Sequence, residues 1–135
     1  NAGNVIDTSV LASIEYAVEH LHTPLVLVLG HKGCGGVTAA VNHSNEAHIK
    51  NLAKAIDPAV KRASEKISTL KAKGEKNIPD LIDVSVRENV HLVIESLKNS
   101  KPIIYEKVKS KTIKIVGGYY DLDTGVIEII DDQAG

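Results

Sequence analysis

Residues 25–36 read Leu-Val-Leu-Val-Leu-Gly-His-Lys-Gly-Cys-Gly-Gly, and this stretch decides the fold. Its first part, Leu25 to Leu29, is apolar without alternation, which is typical of a parallel strand covered on both faces. Gly30 to Gly36 follow as a glycine-rich turn, and Val37 to Val41 continue as a helix. This order predicts an α/β fold with a mainly parallel β-sheet flanked by helices.

The glycine-rich turn carries a His-x-x-Cys pair, His31 and Cys34. An imidazole and a thiolate three residues apart can reach one metal ion, and zinc favours such mixed nitrogen and sulfur ligation. The pair is half a site, because zinc needs at least one more protein ligand and Cys34 is the only cysteine. From spacing alone, a buried structural cysteine and a turn histidine bonded to a backbone carbonyl are the simpler alternative.

The segments on either side of residues 25–41 have helical patterns. Asp7 or Thr8 can cap a first helix, which Pro24 stops. A short helix is expected around Ala47 to Ile56. Asp57-Pro58, an acidic cap followed by a proline, predicts the start of another helix.

The second half of the chain is predicted to be helical before it ends in a hairpin. The lysine-rich stretch Lys61 to Lys76 is interpreted as the solvated face of a helix. Pro79 opens a long helix, and Pro102 starts a shorter one. Thr112 to Tyr119 and Val126 to Ile130 are predicted to be the two strands of the hairpin.

Composition excludes several classes of function. The 16 basic and 17 acidic residues nearly cancel, and there is no Phe or Trp, so neither nucleic acid nor a membrane surface is expected as a partner. One cysteine and no signal peptide or spanning segment predict a cytoplasmic location. With 135 residues and no repeat or linker, residues 1–135 are expected to form a single α/β domain.

Four segments together resemble one known family. Asn1 to Asn4 read Asn-Ala-Gly-Asn, and Ser13 to His20 read Ser-Ile-Glu-Tyr-Ala-Val-Glu-His. With Gly30 to Gly36 and the C-terminal run Gly117 to Gly125, they resemble the β-class carbonic anhydrases in the family's order. The resemblance covers nearly the whole chain and implies the β-carbonic-anhydrase fold, with the N-terminal strands missing.

The resemblance implies a site and a reaction for the intact protein. It assigns His31 and Cys34 as ligands of Zn²⁺ in a lyase that reversibly hydrates carbon dioxide to bicarbonate and a proton. The family's first ligand cysteine and its catalytic Asp–Arg pair belong to an upstream Cys-x-Asp-x-Arg motif that this sequence does not contain, so the catalytic residues are unassigned. Gly35 and Gly36 are candidate substrate-binding positions, with a tight turn as the equal alternative for Gly36.

The resemblance further implies a homodimer or a higher homo-oligomer. The activity of the 135-residue chain alone is expected to be impaired. Two alternatives are open: a non-catalytic assembly or regulatory paralogue, and a thiol enzyme or redox sensor that uses Cys34 with His31 as its base. The other histidines share no ligand spacing and are expected at solvent-facing positions: His20, His22, His43, His48 and His91.

Overall fold

The computed structural model describes residues 1–131. Its elements, in chain order, are a 3₁₀ turn Ala2–Asn4, α1 Thr8–His20, β1 Leu25–His31, α2 Gly35–Val41, α3 Ile49–Ala72, α4 Leu81–Lys98, α5 Ile103–Lys109, β2 Lys114–Tyr120 and β3 Ile127–Asp131. The predicted cap of the first helix is confirmed, because the Asp7 carboxylate accepts a hydrogen bond from the Val10 N–H at 2.9 Å. No helix within residues 1–131 is long and apolar enough to cross a bilayer.

The three strands form one sheet in the order β1-β2-β3. β1 and β2 are parallel, with His31 opposite Tyr120 at their carboxyl ends. β2 and β3 form the predicted antiparallel hairpin, with an irregularity in register between Gly117 and Gly118. The parallel pair and the flanking helices confirm the α/β fold, and they place His31 at the carboxyl edge of the sheet.

The long helix α4 packs directly on the sheet. Two strand glycines make this close approach possible, because a methyl group at either position would collide with an α4 side chain. A Cβ at Gly30 would lie 2.8 Å from Val86, and a Cβ at Gly117 would lie 2.8 Å from Ile94. The buried α4 residues therefore form the centre of the core, in contact with both strands.

Helices among the described residues cover only one face of the sheet. Val28 and Ile115 point to that face and are buried with residues of α1, α4 and α5. On the opposite face Leu25 is 50% exposed and Ile129 is 53% exposed. The prediction that β1 is covered on both faces is thus wrong for residues 1–131. The apolar run of β1 exceeds what the described helices can cover, and β1 is also an edge strand of the described sheet.

The two helices predicted around residues 47–57 are in fact one. The helix α3 runs without interruption through Pro58, so the prediction that Asp57-Pro58 starts a new helix is wrong. Ile56 and Ala59 lie on either side of the proline, and both are fully buried. A continuous apolar face therefore crosses Pro58, and its burial outweighs the backbone hydrogen bond that proline cannot donate.

Candidate metal centre

The predicted order of strand, turn and helix is present, but the turn is shorter than expected: residues 32–34 connect β1 to α2, because the strand continues to His31 and the helix begins at Gly35. Gly33 has a φ of +64°, in the left-handed region that favours glycine, so the turn depends on this residue. Cys34 occupies the cap position immediately before α2. Its carbonyl oxygen accepts bonds from both the N–H and the hydroxyl of Thr38, each at 2.9 Å. The backbone of the candidate ligand Cys34 is thus fixed by the helix that follows it.

His31 is the last residue of β1 and is partly exposed. Its Nδ1 lies 3.0 Å from the carbonyl oxygen of Lys32. When Nδ1 carries the ring proton, it donates to that carbonyl, and Nε2 keeps the lone pair that a metal binds. A backbone acceptor of this kind orients a histidine that binds a metal. It equally satisfies the hydrogen-bonding group of a histidine that only stabilises the turn.

Cys34 is 5% exposed and is a free thiol. It belongs to the buried cluster that also contains Val37, Val86 and Tyr119. The thiol therefore lies at the boundary between the core and the turn. This position suits a structural cysteine or a metal ligand better than an exposed nucleophile.

The two candidate substrate-binding glycines have different surroundings. A Cβ built on Gly35 would meet no atom within 4 Å, so the space in front of this residue is open. A Cβ on Gly36 would lie 3.2 Å from the backbone nitrogen of Gly3. Gly36 is therefore required for close packing of the 3₁₀ turn on α2. The role of Gly35 and Gly36 in substrate binding stays a prediction, because their contacts with the protein do not bear on it.

The 3₁₀ turn itself is tied to the candidate site. The side-chain amide of Asn4 donates to the Leu29 carbonyl oxygen at 3.0 Å, two residues before His31. The side-chain amide of Asn89, on α4, donates to the Gly3 carbonyl oxygen at 2.6 Å. The sequence carries no signal for the role of Asn89, because a polar residue on a helix has no periodicity that identifies its partner.

A polar network beside the cluster that contains Cys34 was also not expected from the sequence. The Tyr119 hydroxyl donates to Asp83, and burial together with this carboxylate raises the pKa of Tyr119. The Arg87 guanidinium carbon lies 4.1 Å above the Tyr119 ring, and its Nη2 donates to Glu128 at 2.8 Å. The network connects α4 to β2 and β3 at the same end of the sheet as the turn.

The candidate metal donors in this segment are His31 and Cys34. Residues 1–131 contain no group of three or more His, Cys, Asp or Glu side chains that could hold a metal ion. The imidazole and thiol are donor types that suit zinc, but two of them cannot enclose the ion. Outside this segment, His91 is paired with Asp131 at 3.2 Å rather than with the turn.

The chain is similar to known proteins over most of its length. Residues 1–127 match the family model described as carbonic anhydrase. The chain is 34% identical over 124 residues to carbonic anhydrase 2 of Mycobacterium tuberculosis, which covers 92% of this chain and 57% of that protein. It is 32% identical over 128 residues to a carbonic anhydrase of Mycolicibacterium smegmatis, covering 95% of this chain and 59% of that protein.

Solved structures support the fold in the same way. The β-carbonic anhydrase CafA of Aspergillus fumigatus superposes with a TM-score of 0.82 at 24% identity, covering all of this chain and 62% of that one. A tetrameric β-carbonic anhydrase of Sordaria macrospora gives 0.81 at 22% identity, covering 96% of this chain and 65% of that one. The chain belongs to the carbonic anhydrase family, and its fold is that of the β-carbonic anhydrases. It spans somewhat under three fifths of the length of the mycobacterial relatives.

Proposed function

We propose that the intact protein is a zinc-dependent carbonic anhydrase that interconverts carbon dioxide and bicarbonate, with His31 and Cys34 as two of its metal ligands. The observation that carries this proposal is the placement of both residues on one short turn at the carboxyl edge of the parallel strands, within a chain of this family. The remaining protein ligand is expected outside residues 1–131, since the described residues supply only two suitable donors.

Each residue of the turn has a defined part in this proposal. Zinc held here would act as a Lewis acid and would lower the pKa of a water molecule to about 7. His31 contributes Nε2 while the Lys32 carbonyl orients its ring. Cys34 contributes its thiolate from the cap position of α2. The open space in front of Gly35 leaves room for a small substrate beside the turn.

The proposal is tested by zinc content and stopped-flow hydration of carbon dioxide in the intact protein. One zinc per chain and measurable hydration are expected, and Cys34→Ser should abolish both. The isolated 135-residue chain should bind zinc weakly and hydrate carbon dioxide poorly. Tight stoichiometric zinc and fast hydration by that chain would show that the other ligands had been misplaced.

A second candidate is a non-catalytic assembly or regulatory paralogue, and the two-donor set within residues 1–131 favours it. An intact protein that purifies without zinc and does not bind added zinc would support this candidate.

The third alternative, a Cys34 thiol enzyme or redox sensor, predicts rapid alkylation by iodoacetamide. Burial of Cys34 to 5% exposure predicts slow alkylation instead.

We also propose that the protein is a homo-oligomer built from a single α/β domain. The uncovered sheet face supports this, because Leu25, Leu27, Ile127 and Ile129 are all large apolar residues with more than two fifths of their surface exposed. Light scattering should report more than one chain per particle, whereas a stable monomer that unfolds cooperatively would contradict it. The cytoplasmic location expected from the sequence remains a prediction.

A further inference from the structure

Asn89 is one of the buried polar residues of α4, at 5% exposure. Its side-chain amide donates to the Gly3 carbonyl oxygen at 2.6 Å, across 86 positions of sequence. A buried carbonyl that loses such a donor pays the full cost of its desolvation. The bond therefore anchors the 3₁₀ turn Ala2–Asn4 to the helix at the centre of the core.

The anchored turn lies against both segments that carry the candidate ligands. Toward α2, the backbone of Gly3 is so close to Gly36 that a Cβ there would lie 3.2 Å from the Gly3 nitrogen. Toward β1, Asn4 donates to the Leu29 carbonyl at 3.0 Å. A displacement of the turn would therefore disturb the first turn of α2, next to Cys34, and the end of β1.

We propose that Asn89 is a positioning residue for the metal centre: by holding the Gly3 carbonyl, it keeps the 3₁₀ turn against Gly36 and so fixes the relative placement of His31 and Cys34. This inference rests on the proposed function, because it takes these two residues as metal ligands. Asn89 acts through the turn and does not touch the metal. Removal of a group hydrogen-bonded directly to a metal ligand commonly lowers metal affinity by about 10- to 100-fold. Asn89 acts one contact further away, so an effect at the lower end of this range is expected.

Two substitutions remove the donor in different ways. Asn89→Asp keeps the shape but replaces the amide N–H groups with a carboxylate that cannot donate to the carbonyl. Asn89→Leu has a similar volume and introduces no charge, so it carries the test if the aspartate variant does not fold. Ser85→Ala is the matched control, since Ser85 is fully buried one helical turn earlier on α4 and its hydroxyl has no partner among the described residues.

Cobalt(II) added to the metal-free intact protein reports the site directly, because a thiolate ligand produces a charge-transfer absorption. In the unsubstituted chain and in Ser85→Ala, titration should give the same band and the same Kd. Both Asn89 variants should raise the Kd for cobalt about tenfold and change the band at saturating metal. In metal-free protein, amide hydrogen exchange over residues 33–38 should be faster in these variants than in the control.

The outcomes separate this inference from the function on which it rests. Absence of a thiolate band in the unsubstituted intact protein at saturating cobalt would overturn the ligand assignment and the inference together. A normal band whose Kd and saturated spectrum are unchanged in both Asn89 variants would overturn the inference alone. An Asn89 variant that only lowers the unfolding temperature, with an unchanged saturated spectrum, would show that Asn89 is merely structural.

Discussion

The Nζ atom of Lys32 lies 2.5 Å from Oδ2 of Asp123, and this ion pair joins the turn that carries His31 and Cys34 to the hairpin between β2 and β3. Asp121 lies 3.9 Å from the same nitrogen. The hydrogen bond to Asp123 and the charges of both carboxylates raise the pKa of Lys32. The tip of the candidate metal-binding turn is therefore fastened to a part of the chain that lies about ninety residues away.

Removal of this ion pair should loosen the turn without unfolding the protein. In Lys32→Gln, hydrogen exchange at residues 31–34 should become faster, while the global unfolding midpoint changes little because the pair is partly exposed and screened by salt. The raised pKa means that the pair's contribution is fully present below the ordinary lysine pKa and is lost only as pH rises above it. The ratio of exchange rates between Lys32→Gln and the unsubstituted chain should therefore stay the same between pH 6 and pH 9.

Asp123→Asn is the matched partner variant for the same test. It should accelerate exchange at residues 31–34 to a similar extent, and the double variant should add little. Equal exchange rates in the unsubstituted chain and in both single variants would show that the backbone bond from the Lys32 N–H to the Tyr120 carbonyl holds the turn by itself.

Alanine at the two adjacent glycines should have opposite effects on stability. Gly35→Ala places its methyl group in open space and reduces the entropy of the unfolded chain, so it should be neutral or stabilise by up to about 1 kcal/mol. Gly36→Ala forces its methyl group toward the Gly3 backbone and should destabilise by about 1–3 kcal/mol. Urea unfolding measures both, and equal stabilities would contradict the close packing of the turn on α2.

Tyr119 should ionise at a higher pH than an ordinary tyrosine, whose pKa is about 10. Burial and the hydrogen bond to Asp83 both raise its pKa in the folded protein. Because the folded-state pKa is the higher one, the stability contributed by Tyr119 is complete below pH 10 and is lost as pH rises toward the folded-state value. Phenolate absorbance during an alkaline titration, followed together with circular dichroism, measures this.

Tyr119→Phe is the control for the alkaline titration. It should remove the late component of the absorbance change and leave the earlier components in place. If the difference in absorbance between the unsubstituted protein and Tyr119→Phe appears near pH 10, the Tyr119 hydroxyl is exposed to solvent. That result would contradict the structure.

Replacement of the proline inside α3 should stabilise the protein. Pro58→Ala supplies an N–H that can donate to the Lys54 carbonyl, and Pro58 is exposed, so little packing is lost. The alanine variant also has a more flexible unfolded chain, and this entropy offsets part of the gain. The free energy of unfolding is therefore expected to rise by about 1–2 kcal/mol. Ser64→Ala, at an exposed position of the same helix, is the control and should gain about 0.5 kcal/mol or less. A loss of stability in Pro58→Ala would mean that the ring packs more tightly than its exposure indicates.

Local sequence patterns were sufficient to predict the secondary-structure elements whose formation depends on residues close together in the chain. The apolar run Leu25 to Leu29, the glycines after it and the Asp7 cap predict a strand, a turn and a helix, because backbone preference acts over a few residues. The candidate ligands His31 and Cys34 could be identified from the sequence because they are only three residues apart. At Pro58 this reasoning failed, because a buried face shared with other elements overrode a local helix-breaking signal.

The sequence by itself therefore determined the α/β order of elements and the two donors on one turn. Only the tertiary structure decided the long-range bonds around that turn: Lys32 pairs with Asp123, and Asn89 donates to the Gly3 carbonyl in the neighbouring 3₁₀ turn. These partners are far apart in sequence, and a polar side chain carries no mark of which distant group it will meet. The partner is set by packing, since the burial of apolar helix faces against the sheet brings α4 and the hairpin close to the turn.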